Sequence, residues 1–148
     1  MKEKLAIGSD HAGYELKQKV INFLEKDGYV VEDYGTYDNN SCDYPDFGYK
    51  AAKSVADGLN QYGILICGTG IGMSIVANKI RGIRAANCCS VDMARLAREH
   101  NDANIITLGA RLLTFEEVKA IILEFLNGKF QGDRHKRRIN KINELTGF

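Results

Sequence analysis

The sequence predicts an α/β fold in which helices cover both faces of an open, five-stranded parallel sheet. Short apolar runs alternate with longer amphipathic segments from one end of the chain to the other, which is typical of repeated βα units. The 148 residues suffice for one domain with its own core, because a chain of this length buries roughly 70% of its unfolded surface. We therefore expect a single domain over residues 1–148, built in three layers, α/β/α.

The strands are predicted where short apolar runs are followed by glycine or polar residues. These runs are residues 4–8, 29–34, 63–67, 83–87 and 104–108. The segments between and after them carry apolar residues at helical spacing. Leu16, Val20 and Leu24 fall on one face of the first such segment, and Val118 and Ile122 on one face of the fifth. These stripes are predicted to belong to the core.

Local signals mark where the helices begin and end. Gly28, Gly58 and Gly82 stand where the periodic pattern stops, so each predicts a helix end. Thr114 followed by Glu117 three residues later predicts a capping box at a helix start.

Two segments remain outside the βα pattern. Residues 35–45, rich in Asn, Asp, Ser and Tyr, are either a plain loop or a loop beside the substrate. Residues 133–145 are basic and carry a narrow stripe of Ile139, Ile142 and Leu145, which predicts a last helix of the kind that docks on a partner subunit. The whole is Rossmann-like, of the flavodoxin-like kind, with an added C-terminal helix.

Composition excludes several classes of function. Lys and Arg number 20 and Asp and Glu 19, so a net charge of +1 gives no overall attraction to nucleic acid or a membrane surface. No apolar run approaches the roughly 18 to 20 residues that cross a bilayer. The four cysteines form no C-x-x-C pair and no zinc-type spacing, and no signal-peptide run precedes the first strand. We expect a cytoplasmic protein with no metal site and no cofactor.

The chemistry is predicted at the ends of the strands. Ligands of open parallel sheets bind beyond the carboxyl ends, where loops and helix N-termini meet. The run after the third strand holds three glycines at alternate positions, whose exposed backbone N–H groups suit an anion. It lacks the Lys-Ser/Thr of a Walker A loop and the spacing of a dinucleotide fingerprint. A tight turn that needs glycine for packing has the same pattern. The run is Cys67, Gly68, Thr69, Gly70, Ile71 and Gly72.

The candidate base and acids each have a plainer interpretation. A helix N-terminus favours a thiolate at Cys67 by only about 0.3 to 1 kcal/mol, so a base there needs further help, and a small buried hydrophobe is the alternative. Asp10 and His11 could cap the first helix, and His100 with Asn101 could end another. Together, two imidazoles and a carboxylate near strand ends would supply proton transfer at neutral pH.

Basic side chains suggest where a phosphate binds. Arg134 and Arg138 share a helix face at i, i+4, while Arg137 points away from it. With Arg111 on a strand-end loop, they form a candidate clamp for one phosphomonoester. A solvated basic face is the alternative.

Several motifs in order along nearly the whole chain resemble the ribose-5-phosphate isomerase B family. They are Ser9-Asp10-His11-Ala12-Gly13, Asp43-Tyr44-Pro45-Asp46, Cys67 through Gly72 with Met73 and Ser74, Arg98 to Asn104, Gly109-Ala110-Arg111 and Arg134 to Ile139.

The resemblance implies a metal-free aldose–ketose isomerisation through a 1,2-enediolate. It implies that Cys67 is the base, that the backbone N–H groups of residues 68–72 hold the oxyanion, and that Asp10, Thr69 and His100 open the furanose ring. The remaining implied roles concern binding. Asn101 holds the sugar oxygens and Tyr44 contacts the substrate. The phosphate is held by His11, Arg111, Arg134 and Arg138. Some members of the family carry a glutamate base where this chain has Met73.

The resemblance also implies a homo-oligomer, a dimer or a dimer of dimers, with active sites between subunits. Two other functions stay open on the sequence. One is isomerisation of a six-carbon sugar phosphate, of allose or galactose, by the same site. The other is a non-catalytic phosphate- or nucleotide-binding module, which would explain the glycines and arginines but not the thiol and imidazole beside them.

Overall fold

The computed structural model describes residues 2–148. Across these residues, strands and helices alternate as the sequence predicts, and two helices follow the last strand. The elements are β1 (Lys4–Ser9), α1 (Tyr14–Lys26), β2 (Val30–Asp33), α2 (Tyr44–Ala56), β3 (Tyr62–Cys67), α3 (Ile71–Ala77), β4 (Ala85–Asn87), α4 (Val91–Asn101), β5 (Ile105–Gly109), α5 (Phe115–Asn127) and α6 (Arg134–Thr146).

The five strands form one parallel sheet in the order β2-β1-β3-β5-β4. The predicted α/β class, the open sheet and the C-terminal helix are confirmed, and each predicted strand lies within two residues of its observed bounds. The chain leaves β1 toward one side of the sheet and β3 toward the other. The carboxyl ends of these neighbouring strands therefore form the crevice where such sheets bind ligands.

Two buried clusters lie on the two faces of the sheet. Ile64 and Ile66 of β3 point into a cluster with α1, α4 and α5, whereas Leu65 and Cys67 point into one with α2 and α3. This alternation follows from the two-residue period of a strand. The Cys67 side chain thus lies on the α2–α3 face, at the end of its strand.

Most helix boundaries follow the local signals. Thr114 and Glu117 form the predicted capping box, and Gly28 and Gly58 adopt positive φ just after α1 and α2. The prediction that a helix runs to Gly82 is wrong, since α3 ends at Ala77. There the side chain of Asn78 pairs with the N–H and the carbonyl of Ala85, at 2.8 and 2.9 Å, and turns the chain toward β4.

The last helix packs on α4 through one narrow face. His135 and Ile139, four residues apart, are its buried residues. Ile142 and Leu145, which the sequence stripe placed with Ile139, remain 52% and 79% exposed in the single chain. Within residues 2–148 no helix combines the length and the apolar character needed to cross a membrane.

One ion pair ties α1 to the end of β2, where residues 35–43 begin. The Lys17 ammonium is completely buried and donates to both carboxylate oxygens of Asp33, at 2.7 and 2.6 Å. Asp33 also accepts the Gly35 N–H at 2.9 Å.

Replacing Asp33 by Asn is expected to lower the free energy of unfolding by about 3 kcal/mol, because a buried ammonium loses its counter-charge. Lys17→Met, which removes the buried charge itself and leaves the partly exposed Asp33 bonded to Gly35, is expected to cost less. Urea denaturation of both variants measures the difference. A larger loss in Lys17→Met would show that the buried charge is not what makes the pair necessary.

Candidate active site

The crevice between β1 and β3 brings together the first group of predicted residues. The Asp10 N–H donates to the Ile66 carbonyl at 3.2 Å, which places Asp10 beside the end of β3. Its carboxylate oxygen Oδ1 accepts the Gly13 N–H at 3.1 Å, and its side chain is buried. Asp10 thus lies beside the end of β3, in the turn that leads to Gly13, the N-cap of α1.

The loop after β3 folds around the Cys67 thiol. The Gly70 N–H donates to Cys67 Sγ at 3.2 Å, and the Ile71 N–H donates to Thr69 Oγ1 at 3.2 Å. Gly70 takes φ +82°, a conformation that favours glycine, and a Cβ there would collide with the Asn87 side chain. The turn therefore needs glycine for its shape, and two of its N–H groups, those of Gly70 and Ile71, are bonded within the loop.

Arg111 and Tyr44 flank this loop on two sides. The Arg111 N–H donates to the Gly68 carbonyl at 3.0 Å, and a Cβ on Gly68 would lie 3.1 Å from Arg111 Nη1. The Tyr44 ring covers Gly72 so closely that a Cβ there would lie 2.6 Å from the ring. The Arg111 guanidinium and the Tyr44 phenol thus lie on two sides of the loop that follows β3.

The His11 imidazole has a defined tautomer in its neutral form. The Cys42 N–H donates to His11 Nδ1 at 3.2 Å, so the ring proton is carried by Nε2. Cys42 belongs to the irregular segment 35–45, so this segment lies beside His11. We call Asp10, His11, Tyr44, residues 67–72 and Arg111 the carboxyl-edge group.

The second group of predicted residues lies at the opposite edge of the sheet. His100 and Asn101 end α4, which leads into the start of β5, and the Asn101 carbonyl accepts from Arg84 Nε at 3.0 Å just before β4. The length of β5 alone separates the two edges by about 13 Å. We call His100, Asn101, Arg134 and Arg138 the amino-edge group.

Within one chain, therefore, His11 and His100 lie at opposite edges of the sheet. Arg111 is likewise separated from Arg134 and Arg138, with which the sequence pattern grouped it. The αL position that ends α4 is taken by Asp102, with φ 45°, while Asn101 is still helical. Arg134 and Arg138 lie exposed on the first turns of α6, four residues apart as predicted.

His100 is held against a neighbour that sequence reasoning did not single out as a site residue. The rings of His100 and His135 stack at 4.1 Å between centroids and 10° between planes. Burial, and then the positive charges of His100, Arg134 and Arg138, lower the pKa of His135. Sequence reasoning did not select His135 from its run of basic residues, because its contact with α4 depends on how two helices pack against each other.

Asn87 is a second residue beside the candidate site that the sequence pattern did not single out. Its Oδ1 accepts from the buried Thr107 hydroxyl at 3.1 Å, and the side chain rests against Gly70. Met73, where some relatives of this kind are expected to carry a base, is fully buried in the α2–α3 cluster. Among residues 2–148, no three His, Cys, Asp or Glu side chains are grouped so that they could hold a metal ion.

Comparison with known proteins identifies the class to which this fold and site belong. The family model described as Ribose/Galactose Isomerase matches residues 5–142. A ribose-5-phosphate isomerase B from Clostridium thermocellum superposes with a TM-score of 0.96 at 52% identity, covering 97% of both chains. One from Thermotoga maritima gives 0.95 at 53% identity, over 97% of this chain and 99% of that one.

A third structure carries a ligand. The ribose-5-phosphate isomerase B of Mycoplasma genitalium, solved with bound ribulose 5-phosphate, superposes with a TM-score of 0.92 at 40% identity, over 97% of this chain and 96% of that one. These matches define a sugar-phosphate isomerase. The chain belongs to the ribose/galactose isomerase family, in the branch whose members are named ribose-5-phosphate isomerase B.

Proposed function

We propose that this chain interconverts D-ribose 5-phosphate and D-ribulose 5-phosphate, through a metal-free 1,2-enediolate, in the pentose phosphate pathway. Cys67 carries the proposal. Its thiol, at the end of β3, accepts the Gly70 N–H, and the Asp10 N–H donates to the carbonyl of the residue before it. An aldose–ketose isomerisation removes a proton from carbon while charge develops on oxygen. A base and N–H donors at one point meet both needs.

In the proposed step, the Cys67 thiolate takes the C2 proton of the open-chain aldose. The C2–H electron pair forms the C1–C2 double bond, and the carbonyl pair moves onto O1. The Cys67 thiol then returns this proton to C1, and the O2 hydroxyl proton is transferred to O1. O2 thus becomes the ketone oxygen and O1 a hydroxyl, and the thiolate is regenerated. N–H donors of residues 68–72 stabilise the oxyanion, and one such donor is worth about 3 kcal/mol in comparable sites.

The other residues open, hold and orient the sugar. Ring opening is proposed for Asp10, Thr69 and His100. Asn101 is proposed to hold the sugar oxygens, and Tyr44 to contact the substrate. The phosphate is proposed to bind three arginines, with His11 adding its Nε2–H. These charged residues are Arg111, Arg134 and Arg138.

We further propose a homodimer, or a dimer of dimers, in which the amino-edge group of one chain completes the carboxyl-edge group of another. The separation of the two groups within one chain supports this arrangement. So do the apolar side chains left on the surface around the carboxyl-edge group, since Ile71, Ile75 and Leu112 are 53%, 55% and 63% exposed.

The proposed reaction is tested by adding ribose 5-phosphate to the purified protein with EDTA and following ribulose 5-phosphate by NMR. We expect rapid conversion. No conversion by folded protein would contradict the proposal.

The family description gives one alternative a specific basis, because it includes galactose isomerases. The same assay with allose 6-phosphate and galactose 6-phosphate tests it. A higher kcat/KM for a six-carbon substrate than for ribose 5-phosphate would replace the five-carbon proposal, since one more hydroxymethylene must then fit between the loop and the arginines. Tight nucleotide binding without any turnover would favour the binding-module interpretation.

A further inference from the structure

His135, which has no role in the proposed reaction, is a buried side chain beside the amino-edge group. It is 5% exposed, on the first turn of α6, and its ring lies flat against His100. Within residues 2–148, its buried Nε2 has no hydrogen-bond partner. No hydrogen bond at Nε2 holds the ring, so its packing against His100 is the contact that orients it.

We propose that His135 is the positioning residue for His100. It presents a flat surface that fixes the plane of the His100 imidazole and joins the end of α4 to the start of α6. This inference rests on the proposed function, in which His100 acts on the furanose ring. His100 is only half-buried and lies at a helix end, so without the stack its ring would be free to rotate about its side-chain bonds.

The groups that face His135 act mainly to lower its pKa. Arg134 and Arg138 lie beside it on α6, and the His100 imidazole covers it from α4, while Asp133 is the one acidic neighbour that opposes them. Burial and the nearby Arg134 and Arg138 guanidinium groups thus disfavour a proton on His135.

The stack also couples the two parts of the amino-edge group. His135 lies between Arg134 and Arg138 in sequence, so the helix that carries the proposed phosphate ligands is held against the proposed ring-opening imidazole. Ring opening requires both to reach the same sugar phosphate. A shift of about 1 Å in such a group can lower a rate by 10²-fold.

The test is a double-mutant cycle with ribose 5-phosphate as substrate. His135→Ala is expected to lower kcat by about 10- to 100-fold with KM changed little, and His135→Phe, which keeps a flat ring without nitrogen, to retain most of kcat. In the His100→Ala background, His135→Ala is expected to have no further effect, because it acts through the missing ring. Thermal unfolding shows whether each variant is folded.

Each result has a distinct meaning. A further loss of kcat from His135→Ala in the absence of His100, or a loss in His135→Phe equal to that in His135→Ala, would overturn the positioning role. A rise in KM at constant kcat would also overturn it, by showing that His135 serves the arginines. If His100→Ala alone has full activity, the ring-opening assignment has failed, and this inference fails with it.

A second readout does not depend on activity. The chain has 3 histidines, so their C2–H signals can be assigned by single substitution and titrated by NMR. The His135 signal is expected to titrate below the ordinary histidine range, in line with its lowered pKa. His135→Ala should remove the ring-current shift of His100, and His135→Phe should preserve it. No change of the His100 signal in His135→Ala would contradict the stack.

Discussion

Cys67→Ser is expected to lower kcat for ribose 5-phosphate by about 10³-fold or more while the protein stays folded, because the hydroxyl does not ionise at neutral pH and the carbon-bound proton loses its acceptor. Serine tests the role of the thiol as a base more specifically than alanine does. Its oxygen can still accept the Gly70 N–H that Cys67 Sγ accepts at 3.2 Å, so the loop keeps its shape.

The measurement is steady-state turnover combined with thermal unfolding. Cys67→Ala, which removes the acceptor as well, should be equally inactive. A Cys67→Ser enzyme that keeps a tenth of the normal kcat would show that the thiol holds the loop and that another group is the base.

Cys88 provides the matched control. Its thiol is also buried at a strand end, following β4, and burial raises its pKa to about 12, so it stays protonated at neutral pH. Cys88→Ala should therefore leave kcat unchanged. An equal loss of kcat in Cys88→Ala and Cys67→Ala would mean that small cavities near the sheet, and not loss of a base, explain the effect.

Much of the site could be predicted because it depends on local order along the chain. Asp10, Cys67 and Arg111 each follow a strand, and the carboxyl ends of parallel strands meet at one edge whatever the order of the strands. The position of Gly82 misled the helix prediction, because the end of α3 is set by the pairing of Asn78 with Ala85, which no periodicity signals.

The amino-edge group was harder to place. His100 ends a helix that precedes a strand, and such a helix end lies at the amino edge, so its distance from Cys67 follows from topology alone. Its stack on His135 does not, because that contact depends on how α6 crosses α4. Sequence motifs thus identify candidate site residues more readily than they show which of these residues lie together within one chain.

The division of the site between two edges leads to the second large expected effect, recovery of activity from two inactive proteins. Cys67→Ala disables the carboxyl-edge group, and the double variant Arg134→Ala/Arg138→Ala disables the amino-edge group. Both arginines are exposed, so their removal should not unfold the chain. If sites form between subunits, a hybrid dimer contains one site with neither defect and one with both.

Co-expression with two different affinity tags, or unfolding and refolding of a mixture, yields these hybrids. With random pairing, half the dimers are hybrid and one of their two sites is intact, so we expect about a quarter of the normal activity. Each variant alone should remain inactive. Tandem purification through both tags should raise the recovered activity to about half, because only hybrids are then present.

A second pair of variants tests whether recovery comes from the geometry of the edges. Asp10 and Cys67 belong to the same carboxyl-edge group, so a hybrid of Asp10→Ala with Cys67→Ala has a defect in each of its sites and should stay inactive. Recovery in this pair would mean that the two side chains act in different sites. Conversely, hybrids of Cys67→Ala with the arginine variant that are isolated intact but inactive would require one chain to bring its two edges together, against the roughly 13 Å of β5 that separate them.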